Sequence, residues 1–187
     1  MADTIPVLQL GDPKLRARSQ PVSFVQDASV QTLIDQLLAT VHDSNGVGIA
    51  APQVGKNLRL LIVASRPNLR YPDAPAMAPT PMINPQIVSH SAEQVKGWEG
   101  CLSVPGIRGL VPRYRQIEVG YLDRTGQPQQ QVLTDFVARI FQHEYDHLEG
   151  HVFLDRVDST QDLISEAEYQ KRVIDALPCT QPAADTA

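Results

Sequence analysis

The segment Gln142-His143-Glu144-Tyr145-Asp146-His147 sets two imidazoles four residues apart with a carboxylate beside the first. On a helix, residues four apart share a face, so both rings can grip one metal ion. Glu144 points to nearly the same side and can handle the protons of a water at that ion, the arrangement of metal-assisted hydrolysis. Two satisfied histidines on a helix are the plainer alternative, and the rest of the chain has to decide between them. A tetrahedral ion would still lack a protein ligand, since catalytic sites commonly take three and keep the fourth position for water. His151, Glu166 and Glu168 are downstream candidates. Cys101, in Trp98-Glu99-Gly100-Cys101-Leu102-Ser103, is a sharper one upstream.

The elements that must position these groups are readable from periodicity. Val30, Leu33, Ile34, Leu37, Leu38 and Val41 recur at helical spacing, with Asp27 or Ser29 as N-cap and Asn45-Gly46 as the stop. Residues 58–64, 82–89, 116–123 and 129–134 read as strands, and Asp123-Arg124-Thr125-Gly126 supplies a hairpin turn between the last two. The proline-rich stretch 66–81 reads as a connecting loop. Thr134 or Asp135 caps a second helix that runs to about Glu149, with Gly150 past its end; Val137, Ile140, Phe141 and Leu148 lie on or beside the face of His143 and His147, so this helix is expected to be buried. A third helix is expected from about Ser159 to Leu177, ended by Pro178.

Composition narrows the function classes. With 187 residues and 42% hydrophobic content the chain can bury one core, and we expect a single catalytic domain over residues 1–178 followed by a flexible tail, 179–187. A formal charge of -5 argues against stable nucleic-acid or anionic-membrane binding, which demands excess Lys and Arg. The first residues show no basic-then-apolar export pattern, and no apolar run reaches bilayer length, so a cytoplasmic protein is expected. Such a protein does not need Cys101 and Cys179 to pair, and a free thiolate ligand is the more useful reading of one of them.

Three stretches, Gly46-Val-Gly-Ile-Ala-Ala-Pro-Gln53, Glu99-Gly-Cys-Leu-Ser103 and Gln142-His-Glu-Tyr-Asp-His-Leu-Glu-Gly150, together resemble the three motifs of peptide deformylases, in the right order. The resemblance spans roughly residues 5–158 and extends to Asp12-Pro-Lys-Leu-Arg16, Pro21-Val22, Ile83-Asn84-Pro85 and Val111-Pro112-Arg113. It implies that Cys101, His143 and His147 bind the metal, with Fe(II) the physiological ion and Ni(II), Co(II) or Zn(II) as substitutes. An Fe(II)-thiolate centre of that kind should lose activity in air. The resemblance also implies that Glu144 is the general base and acid, that the Gln53 side-chain amide and the Leu102 backbone N–H face the developing oxyanion, and that the backbone at Gly46 and Gly48 receives an extended peptide. Ile140 would help line an apolar methionine pocket, and Arg108 would reach a carboxylate or line the cleft. Its substrates would be N-formylmethionyl nascent peptides, met in transient association with the ribosome by a monomer.

The expected fold is α+β, with antiparallel β-sheets around the buried His143/His147 helix, an N-terminal helix and a C-terminal helix. Two rivals share parts of this pattern. An endopeptidase of the His-Glu-x-x-His type would keep its metal without Cys101, and a non-catalytic module would close the fourth coordination position.

Overall fold

The computed structural model describes residues 2–68 and 71–176. Its first helix, α1 (Ala28–Asp43), starts where Asp27 accepts a hydrogen bond from the Ser29 N–H and stops at Ser44, followed by Asn45 at φ 50°. Five strands beyond it build a sheet: β1 (Gly48–Ala50), β2 (Leu60–Val63), β3 (Thr80–His90), β6 (Gln116–Leu122) and β7 (Pro128–Thr134), hydrogen-bonded in the order β1-β2-β3-β6-β7, all antiparallel. The turn expected at 123–126 joins β6 to β7, closed by the Gly126 N–H on the Asp123 carbonyl.

β2 explains why the sheet has helices on both faces. All four of its residues, Leu-Leu-Ile-Val, are buried, which is the signature of a strand covered from two sides. Leu60 and Ile62 join Ile34, Leu37 and Val41 of α1 in one apolar cluster. Leu61 and Val63 join Ile140, Phe141 and Leu148 of the second helix, α2 (Asp135–Leu148), in another. Full burial of each such side chain favours the fold by roughly 1.5–3 kcal/mol, so this pair of stripes fixes α2 firmly on the sheet. Gly150, at φ 80°, ends α2 in the left-handed conformation, and a Cβ there would stand 2.6 Å from the Arg16 carbonyl oxygen.

A second sheet closes over the other side of α2. It consists of β4 (Gln94–Cys101), β5 (Val104–Tyr114) and β8 (Leu163–Ser165), in that order, and it was not legible as strands. Gly97, Gly100, Pro105, Gly106, Gly109 and Pro112 interrupt both long strands and erase their alternation. Val104, Val111, Val152 and Phe153 form the cluster beneath this sheet. The antiparallel α+β architecture around a buried His143/His147 helix is thus as expected from the sequence.

Two expectations need correction. The region from Ser159 is not one helix: it runs through a 3-10 turn at Thr160–Asp162, strand β8, the short helix α3 (Glu166–Tyr169) and a wider turn at Gln170–Ile174. Pairing of β8 with Ile107, Arg108 and Gly109 of β5 overrides the helical propensity of its first third. The loop of 66–81 gives up Thr80 and Pro81 to β3, where they pair with Val63 and Ile62. The boundary expected at 178/179, and Cys179, lie outside the described residues. Among the described residues no helix is long and apolar enough to cross a membrane.

Candidate metal centre

α2 carries His143, Glu144 and His147 inward, all buried, toward the turn that joins β4 to β5. That turn begins at Cys101, half-buried, and its sulfur lies 3.3 Å from His147 Nε2. One ligand atom from each of Cys101, His143 and His147 falls within 4.8 Å of the others. Neither His151 nor the acidic residues near the C-terminal helix belong to this group.

The residues around the trio prepare it for a cation. His143 Nδ1 donates to the Glu99 carboxylate at 2.9 Å, which places a proton on that nitrogen and makes Nε2 the ring's ligand atom for a metal. Burial alone would raise the Glu99 carboxyl, but the Arg113 charge and the bonds from His143 and Arg113 hold it far below the usual range. Glu99 accepts both Nε and Nη2 of Arg113 and also Nη1 of Arg139. Arg113 continues to Asp146, itself bonded to Arg156, so paired charges run from the site to the surface. Burial disfavours a charged His143, yet Cys101 and Glu99 push it well above the ordinary imidazole range; burial and the charges of His143 and Arg113 push His147 well below it. A place where a thiol and a carboxylate draw positive charge onto a ring, beside a second ring that refuses a proton, is electrostatically a place for a metal ion. The donor set fits one.

Glu144 stands beside the trio with Oε2 buried and without a hydrogen-bond partner. Burial pushes its carboxyl up to about 7, with the Glu99 charge adding to the rise and His143 and Arg113 opposing it. That value suits a group that must take and return a proton near neutrality. Gly48 gives it room: a Cβ there would lie 2.6 Å from Glu144 Oε1 and 2.8 Å from Ile140 Cγ2. Gln53 is buried, with Oε1 accepting the Ala50 N–H at 2.8 Å. Only the amide oxygen can accept, so Nε2 has to face the site, 3.5 Å from Cys101 Sγ and 3.2 Å from Ser103 Oγ.

A cleft partly open to solvent lies against Cys101 and His143 of the trio. Gly46, Gly48, Gln53, Leu102, Ile140, Cys101, His143 and Glu144 all line it, so the structure brings together nearly every residue singled out in the sequence. Tyr71, Trp98, Phe136 and Arg139 complete its walls. The loop at 66–81 therefore borders the site instead of only connecting strands. Arg108 does not line the cavity; it is buried behind it, paired with Glu166.

The model of the polypeptide deformylase family matches residues 4–162. The chain belongs to this family. Its members are metal-dependent hydrolases that remove the N-formyl group from the N-terminal methionine of nascent polypeptides and release formate. Peptide deformylase 2 of a Nostoc species is 63% identical over 171 residues, covering 91% of this chain and 96% of that protein. A class I type b peptide deformylase from Acinetobacter baumannii, solved with Met-Ala-Ser bound, is 46% identical with a TM-score of 0.82, over 84% of this chain and all of that one (100%). A deformylase from Synechococcus elongatus, solved with actinonin, is 37% identical with a TM-score of 0.75, over 84% and 81% of the two chains.

The supporting shell of this deformylase site was the part missed from sequence. Arg139 was not singled out, and Arg113 only as part of a resemblance, yet both hold Glu99. Asp146 was an unassigned letter between two histidines and is the next link of the same charge chain. A buried arginine facing a buried glutamate has no fixed sequence separation, so no spacing rule finds it. The exposed His42 and His90 and the half-exposed His151 stay apart from the trio.

Proposed function

We propose that residues 1–178 form one catalytic unit in which Cys101, His143 and His147 hold the metal, Glu144 moves protons, and Gln53 with the Leu102 N–H binds the oxyanion. The observation that carries the reading is the convergence of a thiol and two imidazoles in one buried group, with Cys101, His143 and the unpartnered carboxylate of Glu144 all facing one cavity. A divalent ion held by that trio supplies Lewis acidity, which makes water a stronger acid and polarises the formyl oxygen. Fe(II) is the ion we assign physiologically, because one thiolate and two imidazoles suit Fe(II) as well as Zn(II) and the motifs resemble those of iron-dependent relatives.

Glu144 takes the proton of the attacking water and returns it to the nitrogen that leaves as the new amine. As the formyl oxygen gains charge, Gln53 Nε2 is held ready to donate by its own carbonyl bond to Ala50, so little reorganisation accompanies the reaction. The substrate backbone runs along Gly46 and Gly48 beside β1, the terminal strand of its sheet, with β4 the terminal strand of the other sheet across the cavity. Main-chain pairing of that kind reads an extended peptide with little regard to later side chains. The methionine side chain fits the apolar wall that includes Ile140. A relative solved with Met-Ala-Ser bound supports a short methionyl peptide as the ligand. Encounter with ribosomes is transient, in the cytoplasm, by a monomer that makes no stable contact with nucleic acid or membrane.

Formate release from formyl-Met-Ala-Ser by anaerobically Fe(II)- or Ni(II)-loaded protein tests the roles. Turnover in the parent should be lost in Glu144→Ala with metal retained, and lost with the metal in Cys101→Ala. Metal retained after loss of Cys101 would favour the endopeptidase reading instead.

A further inference from the structure

Arg108 is buried at 1% exposure, its guanidinium lying behind the cavity wall instead of in the cavity. Its Nε and Nη2 form a paired contact with Glu166 of α3, at 2.7 and 2.9 Å. The remaining arm, Nη1, donates to the Tyr71 hydroxyl at 2.9 Å. The guanidinium carbon also stands over two rings, 5.6 Å from the centre of Tyr71 and 4.8 Å from that of Tyr169. Tyr71 in turn packs on Phe136 with centroids 4.8 Å apart, and Tyr169 meets Trp98 edge-on at 5.7 Å. Tyr71, Phe136 and Trp98 are cavity walls. On the cavity's inner side Gly100, the neighbour of Cys101, lies so close to Arg108 that a Cβ on it would be 2.9 Å from Cζ.

We infer that Glu166 and Arg108 are positioning residues that set the aromatic wall of the substrate cavity through the Tyr71 hydroxyl, so that the C-terminal segment helps to select the first side chain of the substrate. The inference rests on the deformylase reading. Its physical basis is geometric. A guanidinium is planar and rigid, so once its two inner nitrogens are locked on Glu166 the third can point in one direction only. Tyr71 lies between β2 and β3, its backbone tied to Asn68 by a pair of mutual hydrogen bonds, and the hydroxyl bond to Arg108 holds its ring against Phe136. A long thioether side chain reaching into the cavity gains contact with these ring edges, whereas a methyl side chain cannot reach them. Glu166 is therefore remote from the reacting atoms but graded in effect by substrate length.

The test compares kcat and KM of the metal-loaded full chain on formyl-Met-Ala-Ser and formyl-Ala-Ala-Ser for the parent, Glu166→Gln, Tyr71→Phe and the double variant, with metal content and thermal midpoint measured on each. Glu166→Gln should raise KM for the methionine substrate by roughly three- to tenfold, the scale of a charge-assisted hydrogen bond weakened to a neutral one, with kcat and metal content held. Formyl-Ala-Ala-Ser should change little. Tyr71→Phe should reproduce the effect, and adding Glu166→Gln to it should cost nothing further, because the two act through one bond. Additive effects, equal losses on both substrates, or an unchanged KM in Glu166→Gln would overturn the inference. A metal-loaded parent without turnover on either peptide would instead remove the deformylase reading, leaving the clamp to be judged by the two variants' thermal midpoints.

Discussion

At the scale of single residues, the site works by controlling where protons are allowed to sit. Glu144, pushed up to about 7 by burial, is half-ionised near neutrality, and a cation nearby pulls that value down. Its base form is the carboxylate, so kcat/KM should rise with pH along a limb centred below about 7. The limb should be missing from the residual turnover of Glu144→Gln while metal occupancy stays flat over the same range; a limb that persists there belongs to another group. Gln53→Ala should lower kcat on the order of a hundredfold with the fold intact, since it removes one preorganised donor. Glu99→Gln weakens the acceptor that fixes the His143 ring and should reduce metal affinity by roughly 10–100-fold in a competition with a chelating dye. Unchanged affinity would mean that packing alone orients the ring. Cys101, His143, Glu144 and Gln53 were legible because their chemistry sits in short, fixed spacings. Arg113 and Arg139 were not, because a shell of ion pairs depends on the fold and not on distance along the chain.

At the scale of elements, capping and turn chemistry were legible wherever the signal was local. Asp27 and Gly150 bound α1 and α2 as expected, and the β6–β7 turn falls on Asp123–Gly126. Asp123 accepts from Thr125 Oγ1, from the N–H groups of Thr125 and Gln127 and from Gln129 Nε2. These bonds, the Thr125 hydroxyl first, lower its carboxyl to about 2 from 3.8. A depressed carboxyl stabilises the fold above its unfolded pKa and loses that contribution as pH falls through the folded value. The difference in urea midpoint between the parent and Asp123→Asn should therefore be flat above about pH 5 and shrink as pH drops from about 4 toward about 2. A difference that does not change over that span would show that the charge is not used. Strands β4 and β5 and the broken C-terminal region escaped sequence reading for a common reason: glycines and prolines hid the strands, and pairing with β5 decided what residues 163–165 would be.

At the scale of the whole molecule, α2 sits between two sheets, and the ligands come from both sides of that boundary: two from α2 and one from β4. An ion that binds only the folded arrangement stabilises it by mass action, about 4 kcal/mol at a thousandfold excess over its Kd. Set against a total of roughly 5–15 kcal/mol, that is a large share. Stripping the ion with a chelator should lower the thermal midpoint by several degrees, and restoring it should reverse the change. A midpoint indifferent to chelation would mean that the two sheets hold together without help from the ion.

The line of paired charges from His143 through Glu99, Arg113 and Asp146 to Arg156 also constrains how this sequence can drift. Removing one member strands a buried charge, at roughly 3–5 kcal/mol, which approaches the whole margin of stability. Exchanging two neighbours together for apolar groups of matching volume is far less damaging, and can even be neutral. Single replacements of Glu99, Arg113 or Asp146 by apolar residues are therefore dead ends, and apolar variation along this line is reachable only by replacements that arrive in pairs.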